Sequence, residues 1–242
     1  MENKQKREAS DVVIRFSGDS GDGMQLTGTL FSDTAALYGN GISASPEYPA
    51  EIRTPHGMVA GVSGFQVHFG NYQVQTPGDY CDVLVAINPA ALRANAMWLR
   101  RGATVIIDGD TLDEKSVARA GFTTGDPFAE LGIEDYNILI PNITTMTKDA
   151  LAETGLAPKI IFKCNNMFAL GICLTIFNRP MEYPLKYFSK KFGKNKQARV
   201  HDNELALKPG FQSAADRPRL ANKIDVDSAD LPTGKHRSIT RT

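Results

Sequence analysis

The chain has 242 residues, 42% of them hydrophobic and 22% charged, enough for one sizeable core or two small ones and too apolar for wholesale disorder. Its 27 Lys and Arg offset 27 Asp and Glu, which removes the global electrostatic case for nucleic acid or an anionic membrane as a partner. The polar start MENKQKREAS and the lack of any run of 18 apolar residues give neither a secretory signal nor a membrane span, so the expected location is cytoplasmic.

In chain order, DVVIRFSG reads as a buried strand ending in a sharp turn, GDSGDG, and MQLTGTLFSDTAALY as a helix over 24–38 stopped by Gly39-Asn40-Gly41. ISASPEYPAEIRTPHGM reads as irregular. In the next stretch Phe65, Val67 and Phe69 alternate with Gln66 and His68 before Gly70-Asn71, which predicts a hairpin turning at that pair. CDVLVAINP and ATVIIDGD are continuous apolar strands, with a helix expected between them over 90–101. NILIPN is a further strand, and IIFKCNNMFALGICLTIFNRP a long apolar helix. Strands alternating with helices, plus one hairpin, predict an α/β chain: a three-layer α/β/α Rossmann-like domain with a mixed sheet.

Charge divides the chain. Residues 186–242 hold 13 Lys and Arg against 6 Asp and Glu, and beyond about Lys190 the apolar periodicity fades. The expected organisation is a folded domain over 11–190 and a basic C-terminal extension or linker over 191–242, with the residues after about Gly210 loosely held. Cys81, Cys164 and Cys173 are odd in number and lack CxxC spacing. They read as buried thiols, not as a disulfide framework or a zinc or iron–sulfur site supplied by this chain alone.

Gly18, Gly21 and Gly23 follow a strand and open a helix, the context of a phosphate-binding turn. Leu26 stands where a dinucleotide fingerprint wants Gly or Ala, and Met24-Gln25 where a nucleoside-triphosphate loop wants Lys-Ser/Thr. Asp19 and Asp22 also oppose a bare phosphate. Two readings stay open: a tight turn with close helix packing, or a backbone cradle that a ligand or partner approaches. A second candidate is SPEYPAEIRTPHG, whose only cation is Arg53, either an ion-pair partner of Glu51 or a ligand contact. The third is Lys163, Asn165 and Asn166, where a cation and two amides at a helix N-terminus make an anion or amide site, or alternatively a cap with a solvated Lys. His56 and His68 have no Ser or Cys pairing that would support a hydrolytic triad.

Taken in order, these segments resemble the gamma-type domain of the 2-oxoacid:ferredoxin oxidoreductases, over about 11–210. GDSGDGMQLTGTLF, DVLVAINPAAL, GATVIID, KCNNMFALG and NELALKPGF carry the resemblance. SPEYPAEIRTPHGMVAGVSGFQVHFG is closer to the 2-oxoglutarate type of the family, in which this domain is commonly the N-terminal part of a longer alpha subunit. The resemblance implies a share in oxidative decarboxylation of a 2-oxoacid, best matched by 2-oxoglutarate giving succinyl-CoA, with electrons passing to ferredoxin. It implies thiamine diphosphate, Mg²⁺ and a 4Fe-4S cluster on other domains or subunits, namely a thiamine-binding domain and a beta subunit. This domain would serve assembly and face coenzyme A, with Gly18, Gly21, Gly23, Arg53, Lys163 and Asn165 as its binding residues and no catalytic or metal-ligating residue. The chain alone is expected to be inactive. The alternatives are a stand-alone nucleotide-binding module and a purely structural subunit.

Overall fold

A computed structural model describes residues 7–48, 61–192, 197–216 and 224–229. A six-stranded mixed sheet organises them. It contains β2 (Asp11–Asp19), β3 (Gly41–Glu47), β4 (Val62–Gly70), β5 (Cys81–Ala86), β6 (Leu99–Ile107) and β7 (Asn137–Leu139), in spatial order β3-β4-β2-β5-β6-β7. β2, β5, β6 and β7 are parallel, and β4 runs antiparallel between β2 and β3. A short strand β1 (Arg7–Glu8) pairs with β8 (Ile224–Asp225) apart from this sheet.

Strand alternation in β2 sends its two sets of side chains to two layers. Val12, Ile14 and Phe16 enter a large core with α1 (Met24–Tyr38), α5 (Ile143–Ala150), α7 (Asn165–Ile176) and α9 (Gln197–Asp216). Val13 joins Leu84, Leu92 and Val105 beneath α2 (Pro89–Asn95) and α4 (Pro127–Leu131) on the other face. Phe31, Phe69 and Phe177 meet edge to face at centroid distances of 5.2 to 5.4 Å, locking α1 and the end of α7 onto β4. Arg15 interrupts the apolar pattern of β2. Its guanidinium donates to Asn95 Oδ1 at 2.6 Å and Gln66 Oε1 at 2.7 Å and pairs with Glu47, so the buried charge is fully engaged.

The expected three layers and mixed sheet are present, with four local differences. First, the hairpin does not turn at Gly70-Asn71. β4 pairs instead with β3, formed by the ISASPE stretch read as irregular: as an edge strand with one partner, it needs no apolar run. Second, the helix expected over 90–101 ends at Asn95, and after one 3₁₀ turn, Ala96–Trp98, Arg100 and Arg101 already belong to β6. Third, the long apolar helix is broken at Lys163 and Cys164 into α6 (Pro158–Phe162) and α7. The stretch Pro158–Ile176 has the length and hydropathy of a membrane span, yet α7 is buried along its whole length by the sheet and neighbouring helices.

The fourth difference is the packed unit's extent. After α8 (Glu182–Phe192), helix α9 lies beyond the boundary expected near Lys190, yet its Ala206, Leu207 and Ala214 are buried in the same core as α7. The two helices touch backbone to backbone. A methyl placed on Gly171 would stand 2.3 Å from Leu207 O, and one on Gly210 would stand 2.1 Å from Phe168 O. Nor are all residues after Gly210 loosely held. Ile224 and Val226 are core residues, and buried Arg179 donates to Val226 O at 2.8 Å and Asn40 Oδ1 at 2.7 Å, tying the 224–229 segment to the end of α1.

Candidate functional site

β2 and β5 lie side by side and parallel, but the chain leaves them in opposite directions across the sheet. From β2 it passes through α1 to β3 and β4; from β5 it passes through α2 to β6. The carboxyl ends of such a strand pair frame the crevice in which open α/β sheets place ligands. Here the two exits are clipped together: Asn88, which caps α2 through Ala91 N at 2.8 Å, donates its Nδ2 to Asp19 Oδ1 at 2.9 Å.

The glycine turn builds one wall of this crevice. Gly21 and Gly23 take positive φ of 102° and 80°, which side chains other than glycine rarely adopt, and Asp22 Oδ2 accepts from Asp19 N at 2.9 Å to close the turn. Burial pushes the Asp22 carboxyl above the ordinary range, opposed in part by that hydrogen bond. At Gly23 a side chain is also excluded by contact, since a methyl there would fall 2.1 Å from Asn166 Nδ2. Gly28 performs the same service one turn into α1, where a methyl would fall 2.1 Å from Phe65. Close packing therefore accounts for Gly23 and Gly28, and the same closeness brings the turn against α7.

The N-terminus of α7 packs directly against this turn. Asn166 is 6% exposed, and its Nδ2 donates to Gly23 O at 3.4 Å, while the Thr27 hydroxyl reaches Asn166 O at 3.4 Å. Asn165 is 2% exposed, and its Nδ2 donates to Thr144 Oγ1 at 2.7 Å. Both amide oxygens, Asn165 Oδ1 and Asn166 Oδ1, are buried with no hydrogen-bond partner among the described residues. An unpaired buried acceptor costs about 1–3 kcal/mol, so two neighbouring ones mark a place where a donor is missing.

Of the residues singled out from sequence, Gly18, Gly21 and Gly23 form the turn, and Asn165 and Asn166 stand at the helix end it contacts. Lys163 is exposed at the end of α6, two residues before Asn165, and does not begin the helix as expected. Arg53 and His56 lie outside the described residues. His68 is turned to Asp11 Oδ2 at 2.8 Å and Thr76 O at 2.7 Å, near the amino end of β2 and away from the crevice. Sequence reasoning missed Thr144 and Asp108. Asp108, wholly buried at the end of β6, accepts from Thr144 Oγ1 at 2.5 Å, Thr144 N at 3.2 Å and Asp110 N at 3.1 Å. Its signal was an acid closing an apolar strand in VIIDGD.

The three cysteines are free and buried apart, with the thiols of Cys81 and Cys164 pushed up by burial to about 12 and about 11. Among the described residues no group of three or more His, Cys, Asp or Glu gathers as a metal site. This donor set does not fit an iron–sulfur cluster, which needs clustered thiolates. The crevice offers helix N-termini, amides and backbone groups, an arrangement suited to holding and orienting a polar ligand.

Comparison with known proteins gives this geometry a lineage. The profile of the family described as pyruvate ferredoxin/flavodoxin oxidoreductase matches residues 13–213. The chain belongs to that family. It is 38% identical over 235 residues to the 2-oxoglutarate oxidoreductase subunit KorA of Mycobacterium tuberculosis, covering 97% of this chain and 36% of that one. The chain thus spans about a third of the length of this curated relative. Among solved structures, it resembles a 2-oxoglutarate:ferredoxin oxidoreductase from Magnetococcus marinus with 2-oxoglutarate, coenzyme A and succinyl-CoA bound. There the TM-score is 0.65 at 22% identity, over 93% of this chain and 34% of that one. The gamma subunit of a keto/oxoacid ferredoxin oxidoreductase from Geobacter sulfurreducens aligns with a TM-score of 0.57 at 22% identity, over 85% of this chain and 99% of its own. The subunit PORC of a pyruvate oxidoreductase from Thermotoga maritima gives 0.53 at 19%, over 84% and 97%. At these identities the solved structures speak for the fold.

Proposed function

We propose that this chain is the gamma-type part of a 2-oxoglutarate:ferredoxin oxidoreductase, serving assembly and facing coenzyme A. The complex would convert 2-oxoglutarate and coenzyme A to succinyl-CoA and CO₂, with two electrons passing to ferredoxin. The identity to a 2-oxoglutarate oxidoreductase subunit and the coenzyme A bound in the similarly folded enzyme support the reading. The observation that carries the site is the pair of unpartnered amide oxygens beside the glycine turn. Thiamine diphosphate, Mg²⁺ and the 4Fe-4S cluster belong on a thiamine-binding domain and a beta subunit, and the complex works in the cytoplasm. Cofactors of that kind carry the bond-making chemistry, and a domain such as this one contributes position and electrostatics.

On this reading Gly18 and Gly21 let the ligand approach the backbone, Gly23 seats Asn166 against the turn, Asn165 supplies hydrogen bonding, and Lys163 and Arg53 meet the phosphates. Steady-state kinetics of the assembled complex test it. Lys163→Ala or Arg53→Ala should weaken coenzyme A by about 10- to 150-fold, the loss of one charge-assisted contact, with the Michaelis constant for 2-oxoglutarate unmoved. Unchanged coenzyme A constants in both variants, with the complex intact by gel filtration, would leave the chain a scaffold.

A further inference from the structure

The orientation of the Asn165 amide is decided by Thr144 and Asp108. Asp108 is fully buried and already accepts two backbone N–H groups, from Thr144 and Asp110. Burial pushes the Asp108 carboxyl up, opposed by the hydrogen bonds it accepts from Thr144 and from Asp110 N, and in its ionised form a carboxylate is an acceptor only. The Thr144 hydroxyl, 2.5 Å from Asp108 Oδ2, therefore gives its single proton to Asp108 and has only lone pairs to offer Asn165. Asn165 must turn its NH₂ toward Thr144, at 2.7 Å, and its oxygen the other way. Asn166 is oriented in the same sense by Gly23 O, a pure acceptor, at 3.4 Å. The two amides thus leave two acceptors unpaired at one helix end.

We propose that Thr144, held by Asp108, is a positioning residue that fixes Asn165 as an acceptor, so that this corner of the site takes a hydrogen-bond donor. The inference rests on the coenzyme A reading above and narrows it. Coenzyme A carries donors in its pantetheine amide N–H groups and its adenine amino group. Its phosphates are acceptors and do not suit two unpaired amide oxygens. Either N–H source satisfies the corner, while the phosphates lie against cations elsewhere. Because both oxygens are closed to solvent in the chain by itself, admitting the donor requires local opening around the start of α7.

A double-mutant cycle in the assembled complex tests the relay, with coenzyme A as the titrant and thermal melting to confirm the fold. Asn165→Ala should weaken coenzyme A by about tenfold, and Thr144→Val by about five- to tenfold, since it frees the Asn165 amide to turn. Thr144→Ser, which keeps the hydroxyl, should restore wild-type binding. Thr144→Val added to Asn165→Ala should cost nothing further, because the residue it positions is gone. Thr144→Ala replaces Thr144→Val in the cycle if the valine variant melts early. Additive losses, or wild-type binding in Thr144→Val, would overturn the relay while leaving the coenzyme A reading in place. Wild-type binding in Asn165→Ala would remove Asn165 from the coenzyme A site, and the relay with it. Dephospho-coenzyme A separates the two ligand chemistries: its affinity relative to coenzyme A should be the same in Asn165→Ala as in wild type. A selective loss of the discrimination for the phosphate in Asn165→Ala would show that Asn165 meets a phosphate and overturn the donor assignment.

Discussion

Gly21 and Gly23 share a left-handed backbone and differ in what surrounds them. Nothing stands within 4 Å of a methyl placed on Gly21, whereas one on Gly23 collides with Asn166. Gly21→Ala should therefore lose only the backbone cost, about 1 kcal/mol. Gly23→Ala adds overpacking and should lose about 2–4 kcal/mol, together with coenzyme A affinity, because it pushes Asn166 away. Urea denaturation and titration of the two variants check the difference. Glu130 gives a pH prediction. The backbone N–H groups of Thr124 and Thr123, aided by Arg93 and opposed by desolvation, hold its carboxyl down to about 2 from 4.5. Since the folded value is the lower one, its contribution is present above pH 4.5 and fades as pH falls toward 2. NMR titration should find the Thr123 and Thr124 amides shifting at the acid end of that window, and Glu130→Gln should abolish the response. At this scale the glycine turn was legible because strand, glycines and helix are contiguous, and the place of Asn165 because it opens a long apolar run. Thr144 and Asp108 were not, since only the parallel sheet brings the end of β6 and the start of α5 to α7.

Among the elements, α9 shows most clearly where periodicity fails as a guide. Its helix is broken in pattern by Pro209 and Gly210, residues that argue for a loop. The structure gives Gly210 another reason: only a residue without a side chain lets α9 lie on the backbone of α7 opposite Gly171. The Thr175 hydroxyl spans the same contact, donating to Phe211 O at 2.7 Å. Gly171→Ala and Gly210→Ala should each destabilise the protein by about 1–3 kcal/mol or more. Limited proteolysis should then cut within α9 sooner than in wild type; equal protection would show that the helices do not depend on this contact. β3 was illegible for a related reason, since a polar edge strand is specified by its partner more than by its own residues. The parallel strands β2, β5 and β6 were readable because burial on both faces leaves nearly continuous apolar runs.

For the whole molecule, the uneven charge along the chain does not mark a division of the fold. The basic residues from Lys186 onward begin on α8, and α9 then returns to the core of the sheet domain. The site accordingly depends on the packed unit as a whole, with the glycine turn at the exit of β2 seated against the start of α7, which α9 braces. Hydrogen–deuterium exchange of the assembled complex, with and without coenzyme A, tests this account most directly. Coenzyme A should slow exchange in the peptides spanning 18–25 and 163–168 together, while the amino end of β2 is unchanged. Coenzyme A that binds the complex but protects neither of those segments would contradict it.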